Sequence, residues 1–306
     1  MKAVVTAEQG ATPEVTEVPK PQPGAGEVLV KVQASSVNGF DLSVAGGYVV
    51  GMMEHRFPVV LGKDFAGTVE AVGEGVTRFA AGDKVFGVVT KAFLGDGGFG
   101  EYVTVPEAIG IAKLPEGVEP AAAGAVGLAG TAAVDSLDAV APQAGETVLI
   151  SGATGGVGSI AIQLAAAAGA TVIATAKPGE EAEFVRGLGA QKVVDHTGDV
   201  AAQVREISPT GVDVIVHLAG DPATLAGLLT EKGRIASTMG FGADQHPAAT
   251  FIVANPAPAT LEKLAADLAA GRVTVPVKRT YTLTEVPVAF GDFAGGTLGK
   301  IAITVA

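Results

Sequence analysis

Apolar residues in the first hundred or so positions come in short runs cut by Gly and Pro, at residues 2–6, 27–35, 67–72, 84–89 and 100–106. Runs of that length between turn residues read as strands. Val28-Leu29-Val30-Lys31-Val32 mixes alternation with continuous apolar character, which fits a mostly antiparallel, barrel-like domain. From about Glu119 the period changes. Apolar runs at 147–151, 171–175, 192–195, 212–218 and 233–237 alternate with Ala-rich helical stretches, which predicts a doubly wound parallel sheet. Continuous runs such as Val148-Leu149-Ile150 suit strands covered on both faces. After Val157, the residues Ile160, Leu164 and Ala168 share one helix face. Residues 250–253 read as a sixth strand, and beyond Gly271 short strand patterns return at 272–282 and 301–305. The predicted fold class is therefore α/β in two domains: residues 1–118 completed by 272–306, and a parallel-sheet domain over 119–271.

Composition narrows what such a chain can do. With 306 residues, 48% hydrophobic and 17% charged, it has the make-up of a folded globular protein. A net charge of -12 repels a phosphate backbone, so no nucleic acid and no membrane surface is expected as a partner. With no cysteine, disulfides, thiolate zinc sites, iron-sulfur clusters and thiol nucleophiles are excluded. Residues 147–176 carry no charge over a length that would span a bilayer, but Gly152, Gly155, Gly156, Gly158, Gln163 and Gly169 interrupt them, and two buried strands with a helix explain the stretch better. Residues 1–9 lack the length and cleavage pattern of a signal peptide, so a cytoplasmic location is expected.

The strand ending at Ser151 runs into Gly152-Ala153-Thr154-Gly155-Gly156-Val157-Gly158, a dinucleotide fingerprint in which Ala153 replaces the first glycine. Such a loop lets backbone N–H groups approach a pyrophosphate at a helix N-terminus. Ala153, Thr154, Gly155, Gly156, Val157 and Gly158 are the expected cofactor contacts. The bland alternative, tight helix–strand packing, accounts for Gly158 alone. The second strand ends Ala174-Thr175-Ala176-Lys177-Pro178, without the acidic residue that would receive a ribose 2′-hydroxyl. Thr175 and Lys177 are read as further contacts, Lys177 attracting a 2′-phosphate, and the expected cofactor is NADPH. A solvated lysine after a strand is the alternative.

The chain resembles the medium-chain dehydrogenases/reductases, in their zinc-independent quinone oxidoreductase-like branch. The residues that carry the likeness are Val37-Asn38-Gly39-Phe40-Asp41, Gly62-Lys63-Asp64-Phe65-Ala66-Gly67-Thr68-Val69 with Val72-Gly73, Ala81-Gly82-Asp83-Lys84-Val85, the glycine loop and Gly299-Lys300-Ile301. The resemblance implies a GroES-like barrel domain and a Rossmann domain, and a homodimer paired through the sixth strand. It implies that Asn38 and Tyr48 line the substrate side, Asn38 donating to a carbonyl oxygen and Tyr48 giving a hydrogen bond or a proton. Thr131 would face the nicotinamide, and Leu218 and Ala219 would line the cofactor. Met239, Gly240 and Phe241 follow the fifth strand at the sheet's carboxyl edge, where ligands lie, although Phe241 also suits a core position.

In zinc-dependent relatives a cysteine stands at the position of Asn38, a His-Glu pair at Lys63-Asp64 and a further ligand near Gly127. An amide, an ammonium and a glycine are poor ligands, so no metal is expected. Asp41 and Asp64 show no cause for a raised pKa and are read as ion-pair or loop hydrogen-bond residues, with Asp41 and Lys63 as supports. His55 is read as a solvated loop residue and His217 as a core or edge histidine with satisfied hydrogen bonds. Without a Lewis acid, the favoured substrate is a quinone or an enone, which spreads the charge that hydride addition creates. A zinc-free carbonyl or alcohol dehydrogenase and a non-catalytic NADPH-binding scaffold or redox sensor remain as alternatives.

Overall fold

The structure, a computed structural model, describes residues 1–305. The chain forms two compact units, residues 1–128 with 256–306, and residues 129–255. In chain order the first unit opens with Lys2–Thr6 (β1), Glu14–Glu17 (β2), Glu27–Ser36 (β3), Gly39–Ala45 (α1), Glu54–His55 (β4) and Val59–Val60 (β5). Asp64–Val72 (β6), Lys84–Val88 (β7), Phe93–Leu94 (β8), Tyr102–Pro106 (β9) and Ile111–Lys113 (β10) follow, and the division between units falls within the helix Pro120–Val140 (α2).

The second unit contains Thr147–Ser151 (β11), Gly156–Ala167 (α3), Thr171–Thr175 (β12), Glu180–Gly187 (α4), Lys192–Val194 (β13) and Val200–Ile207 (α5). Val212–His217 (β14), Pro222–Ala226 (α6), Leu229–Ser237 (β15) and Ala249–Phe251 (β16) complete it. The chain then returns to the first unit through Pro258–Ala269 (α7), Val277–Thr282 (β17), Val286–Ala294 (α8) and Lys300–Thr304 (β18).

The first unit is built on a sheet ordered β10-β7-β6-β3-β18-β17, with β9 also paired to β3, and a smaller sheet β2-β1-β5. Every pairing in these two sheets is antiparallel except β17 with β18. Val28, Val30, Val32, Phe65, Val85, Val103 and Ile111 form its buried barrel core. Ala302 of β18 stands opposite Ser36 of β3, so the chain's last strand completes a sheet that its early strands begin. Composition placed 119–128 and 256–271 with the parallel-sheet domain, whereas in the fold they belong to the first unit. Pro256 accepts the Gly110 N–H at 3.0 Å and Glu262 on α7 receives Arg78 at 3.2 Å, which ties the segment to the β10 side.

The second unit is one parallel sheet ordered β13-β12-β11-β14-β15-β16. Counted from β11, that order is 3-2-1-4-5-6, the doubly wound Rossmann arrangement, with its switch point between β11 and β14. Leu149, Ile173, Ile215 and Ile235 are fully buried, as strands covered by helices require. The uncharged stretch 147–176 resolves into β11, α3 and β12, and among the described residues no helix is long and apolar enough to cross a membrane.

Candidate active site and nucleotide site

In the first unit β3 runs directly into α1, and Asn38 is the N-cap between them. Its backbone N–H donates to Asp41 Oδ2 at 2.9 Å, closing a capping box that fixes the turn. The Asn38 side chain is buried, and its amide N–H groups go to Asp64 Oδ2 at 2.8 Å and to the Ser36 carbonyl at 3.3 Å. Lys300 on β18, 3% exposed, donates to Asn38 Oδ1 and to the Val37 carbonyl at 3.0 Å and stands 3.6 Å from Asp64 Oδ2. Asp64, fully buried at the start of β6, also accepts the Ser36 hydroxyl at 2.6 Å and the Leu128 N–H at 2.7 Å. One carboxylate thus joins β3, β6, β18 and the first half of α2.

This arrangement corrects two sequence-based expectations. The Asn38 amide N–H groups are taken by Asp64 and the Ser36 carbonyl, so Asn38 holds Asp64 and Lys300 in place and has no N–H left for a substrate carbonyl. Asp41 does have a cause for a raised pKa: burial lifts its carboxyl from 3.8 to about 7, against the opposing pull of the Asn38 N–H. Lys63 turns to the Val89 carbonyl and makes no ion pair with Asp41. Burial also pushes the Lys63 and Lys300 ammonium groups down, while Asp41 and Asp64 push them back up.

The same positions test the fit of a zinc ion. An amide engaged at both ends, a lysine and a carboxylate saturated by four donors offer no open ligand set. A Cβ at Gly127 would stand 2.6 Å from the Gly87 carbonyl oxygen and 2.8 Å from Asp64 Oδ1, so this position has no room for a ligand side chain. These residues do not fit zinc.

In the second unit the glycine loop does fit a dinucleotide. Gly152 takes φ +68° immediately after β11, so the left-handed turn precedes the position of Ala153, and an alanine there is tolerated. Ala153 is fully buried. Thr175, at the end of β12, accepts the Gly152 N–H at 3.0 Å and anchors the turn. No side chain caps α3, whose N-cap is Gly155, so the amides of Gly156, Val157 and Gly158 in its first turn remain available to an anion. Gly158 serves packing: a Cβ would stand 2.4 Å from the Gly152 carbonyl oxygen and 2.7 Å from Ala153 Cα. Because those neighbours are backbone, Gly158→Ala is expected to weaken nicotinamide nucleotide binding by at least about tenfold. Titration calorimetry checks this, and an unchanged dissociation constant would mean the loop does not hold the nucleotide.

Across the switch point, Ser151 Oγ accepts the Leu218 N–H at 3.2 Å, joining the ends of β11 and β14. His217 is buried and bonded at both nitrogens, Nε2 to the Gly220 carbonyl at 3.1 Å and Nδ1 to Ser237 Oγ at 2.8 Å. Ser237 Oγ in turn accepts the Met239 N–H at 3.0 Å. A carbonyl only accepts, so Nε2 carries the proton and Nδ1 receives the serine hydroxyl. The imidazole therefore links the loops after β14 and β15.

The remaining expected contacts divide. Thr154, Leu218, Ala219, Met239 and Gly240 lie on strand-end loops at the carboxyl edge of the sheet. Phe241 turns inward, 7% exposed, against His217 and His246, and serves the core. Thr131 is buried within α2. Tyr48 is 81% exposed beyond the end of α1. Seven residues of helix, about 10 Å of backbone, lie between it and Asn38, and Asn38 is buried. His55 bonds through Nδ1 to the Met53 carbonyl at 2.9 Å and stacks on Phe57, so it is not simply solvated. Sequence reading gave no site role to Lys300, Ser36, Ser151 or Ser237. A lysine inside the apolar run of β18 was the one visible signal, since a buried ammonium requires a partner.

A glycine loop opening an uncapped helix on a 3-2-1-4-5-6 sheet, in a chain that also carries a mostly antiparallel barrel unit, defines a nucleotide-dependent dehydrogenase or reductase. Comparison with known proteins agrees. Residues 24–116 match the alcohol dehydrogenase GroES-like domain and residues 156–263 the zinc-binding dehydrogenase family. The chain is 35% identical over 232 residues to the chloroplast envelope quinone oxidoreductase homolog of Arabidopsis thaliana, covering 72% of this chain and 69% of that protein. It is 38% identical over 287 residues, 92% of its length, to a mycocerosic acid synthase-like polyketide synthase of Mycolicibacterium smegmatis, of which it spans 13%. The solved structure of a mycobacterial protein complexed with NADPH superposes with a TM-score of 0.85 at 28% identity, covering 100% of both chains. The chain belongs to the medium-chain dehydrogenase/reductase superfamily, in its quinone oxidoreductase-like branch, and is an oxidoreductase.

Proposed function

We propose that this protein is a zinc-independent, NADPH-dependent reductase of quinones or α,β-unsaturated carbonyl compounds. The observation that carries the reading concerns the positions of the zinc ligands in zinc-dependent relatives: Asn38 and Asp64 are bonded to each other and to Lys300, Lys63 turns to the Val89 carbonyl, and Gly127 has no space for a side chain. Residues so committed supply no Lewis acid to a simple ketone or alcohol. A quinone or enone delocalises the developing charge itself and needs chiefly alignment and a hydrogen bond.

A bound nicotinamide would supply the hydride. The amides of Gly156, Val157 and Gly158 would hold the pyrophosphate, with Thr175 keeping the loop in shape and Lys177 attracting a 2′-phosphate. The His217–Ser237 link would set the loops carrying Leu218, Ala219, Met239 and Gly240. The exposed phenol of Tyr48 is free to hydrogen-bond a substrate oxygen, while Asn38 acts as a positioning residue. At the sheet edge, β16 has one strand neighbour, and Phe251 and Val253 are 49% and 73% exposed, which supports a homodimer paired along that strand.

The test is NADPH oxidation followed by absorbance with quinones, linear and cyclic enones, and simple ketones, with and without chelator. Turnover of quinones or enones that ignores chelator is expected. Chelator sensitivity would overturn zinc independence, preferential ketone turnover would favour a carbonyl reductase, and tight binding without oxidation would favour a scaffold. Lys177→Ala is expected to raise KM about tenfold for NADPH and far less for NADH; equal effects would remove Lys177 from phosphate recognition.

A further inference from the structure

Three elements of the second unit deliver charge to one spot beyond the carboxyl end of β12. Lys177 follows that strand by two residues, Glu181 lies in the first turn of α4, and His196 follows β13. Glu181 Oε2 accepts the Lys177 backbone N–H at 2.8 Å and stands 3.2 Å from His196 Nε2, while Oε1 is 3.8 Å from Lys177 Nζ. β12 neighbours β11, the strand that feeds the glycine loop, and the end of that second strand is where a dinucleotide's ribose is read. The strand end itself carries no carboxylate, and the fold brings one in from the next helix.

We propose that Glu181 sets the choice between phosphorylated and unphosphorylated nucleotide: its carboxylate faces the Lys177 ammonium that a 2′-phosphate would need and offers an acceptor to a ribose 2′-hydroxyl. The inference rests on the reading that the second unit binds a nicotinamide dinucleotide, and it tempers the preference for NADPH that Lys177 alone would give. The Lys177 ammonium, with its side chain 54% exposed and its partner at 3.8 Å, is free to swing toward a phosphate. The carboxylate is not, because the Lys177 N–H anchors it. Burial alone would raise the Glu181 carboxyl, but that N–H and the His196 ring outweigh burial and hold it below its ordinary range. A fixed negative charge therefore faces a phosphate group of about −1.5 to −2.

The experiment is titration calorimetry of the full chain with adenosine 2′,5′-bisphosphate, 5′-AMP, NADPH and NADH, in wild type, Glu181→Gln and Lys177→Ala. Glu181→Gln keeps an acceptor for the Lys177 N–H and loses the charge and the second oxygen, and circular dichroism confirms that the fold is retained. This variant is expected to bind the bisphosphate and NADPH about tenfold more tightly and to bind 5′-AMP and NADH severalfold more weakly, because their ribose 2′-hydroxyl loses its carboxylate acceptor. Lys177→Ala is expected to weaken the bisphosphate and NADPH selectively. If all four ligands bind and Glu181→Gln leaves their ratios unaltered, Glu181 is not the specificity residue. If none binds the wild type, the dinucleotide reading itself fails, and this inference with it.

Discussion

Replacing Lys300 with methionine is expected to lower the unfolding free energy by about 3–5 kcal/mol, the cost of leaving a buried charge without its partner. Lys300 and Asp64 are 3% and 0% exposed at the side chain, so solvent does little to screen their attraction. Without the ammonium, Asp64 keeps three neutral donors, from Ser36, Asn38 and Leu128, and no opposite charge within bonding range. The same change leaves Asn38 Oδ1 without its donor, and the N-cap of α1 loosens with it. The double variant Lys300→Met with Asp64→Asn is expected to recover most of the loss, because removing both charges removes both desolvation costs. Denaturant midpoints for the four combinations give the coupling directly. A coupling below about 0.5 kcal/mol would show that the ammonium and the carboxylate do not support each other.

A second large effect concerns pH. Unfolded, the Asp41 carboxyl titrates near 3.8, and folded it titrates near 7. Between those values the folded protein binds more protons than the unfolded chain, so stability falls as pH rises through the window. The stabilising contribution is complete below about 4 and is lost as pH rises through about 7 to about 8, and the difference between 3.8 and about 7 corresponds to a ceiling of about 4 kcal/mol. Asp41→Asn keeps an acceptor for the Asn38 N–H and removes the titration. Relative to that variant, wild type is expected to lose stability progressively between about pH 4 and pH 8. Parallel stability curves for the two would show that Asp41 titrates as an ordinary surface carboxyl does.

Much of the architecture was legible because it rests on local patterns. The boundaries of β1, β11 and β12 coincide with the apolar runs, and the order of glycines announced the turn at Gly152 and the opening of α3. Weaker signals failed where pairing is remote. The strand Glu14–Glu17 alternates charge with Val and Thr, and its ladder to β1 and the packing of Val15 on the core come from residues distant in the pattern. The segment 256–271 looks Ala-rich like the parallel-sheet domain, yet its contacts lie on β10 and Arg78. At the site, residue types were readable and their partners were not. Asn38 looked like a free amide because Lys300 is 262 positions away along the chain. Asp41 looked ordinary because its burial arises only when α1 packs into the core around Val37, Val44 and Phe99. Glu181 reaches the end of β12 from α4, so its contacts with the Lys177 N–H and His196 are not legible in the strand itself.

The proposed reaction requires a nicotinamide dinucleotide anchored by the main-chain amides of residues 156–158. Amide chemical shifts of the 15N-labelled chain, followed during NADPH addition, test it most directly. Large, saturable shifts at Gly156, Val157 and Gly158 are expected, and Gly158→Ala should move their midpoint to at least about tenfold higher NADPH. Saturable NADPH binding that leaves these three amides unmoved would contradict this anchoring.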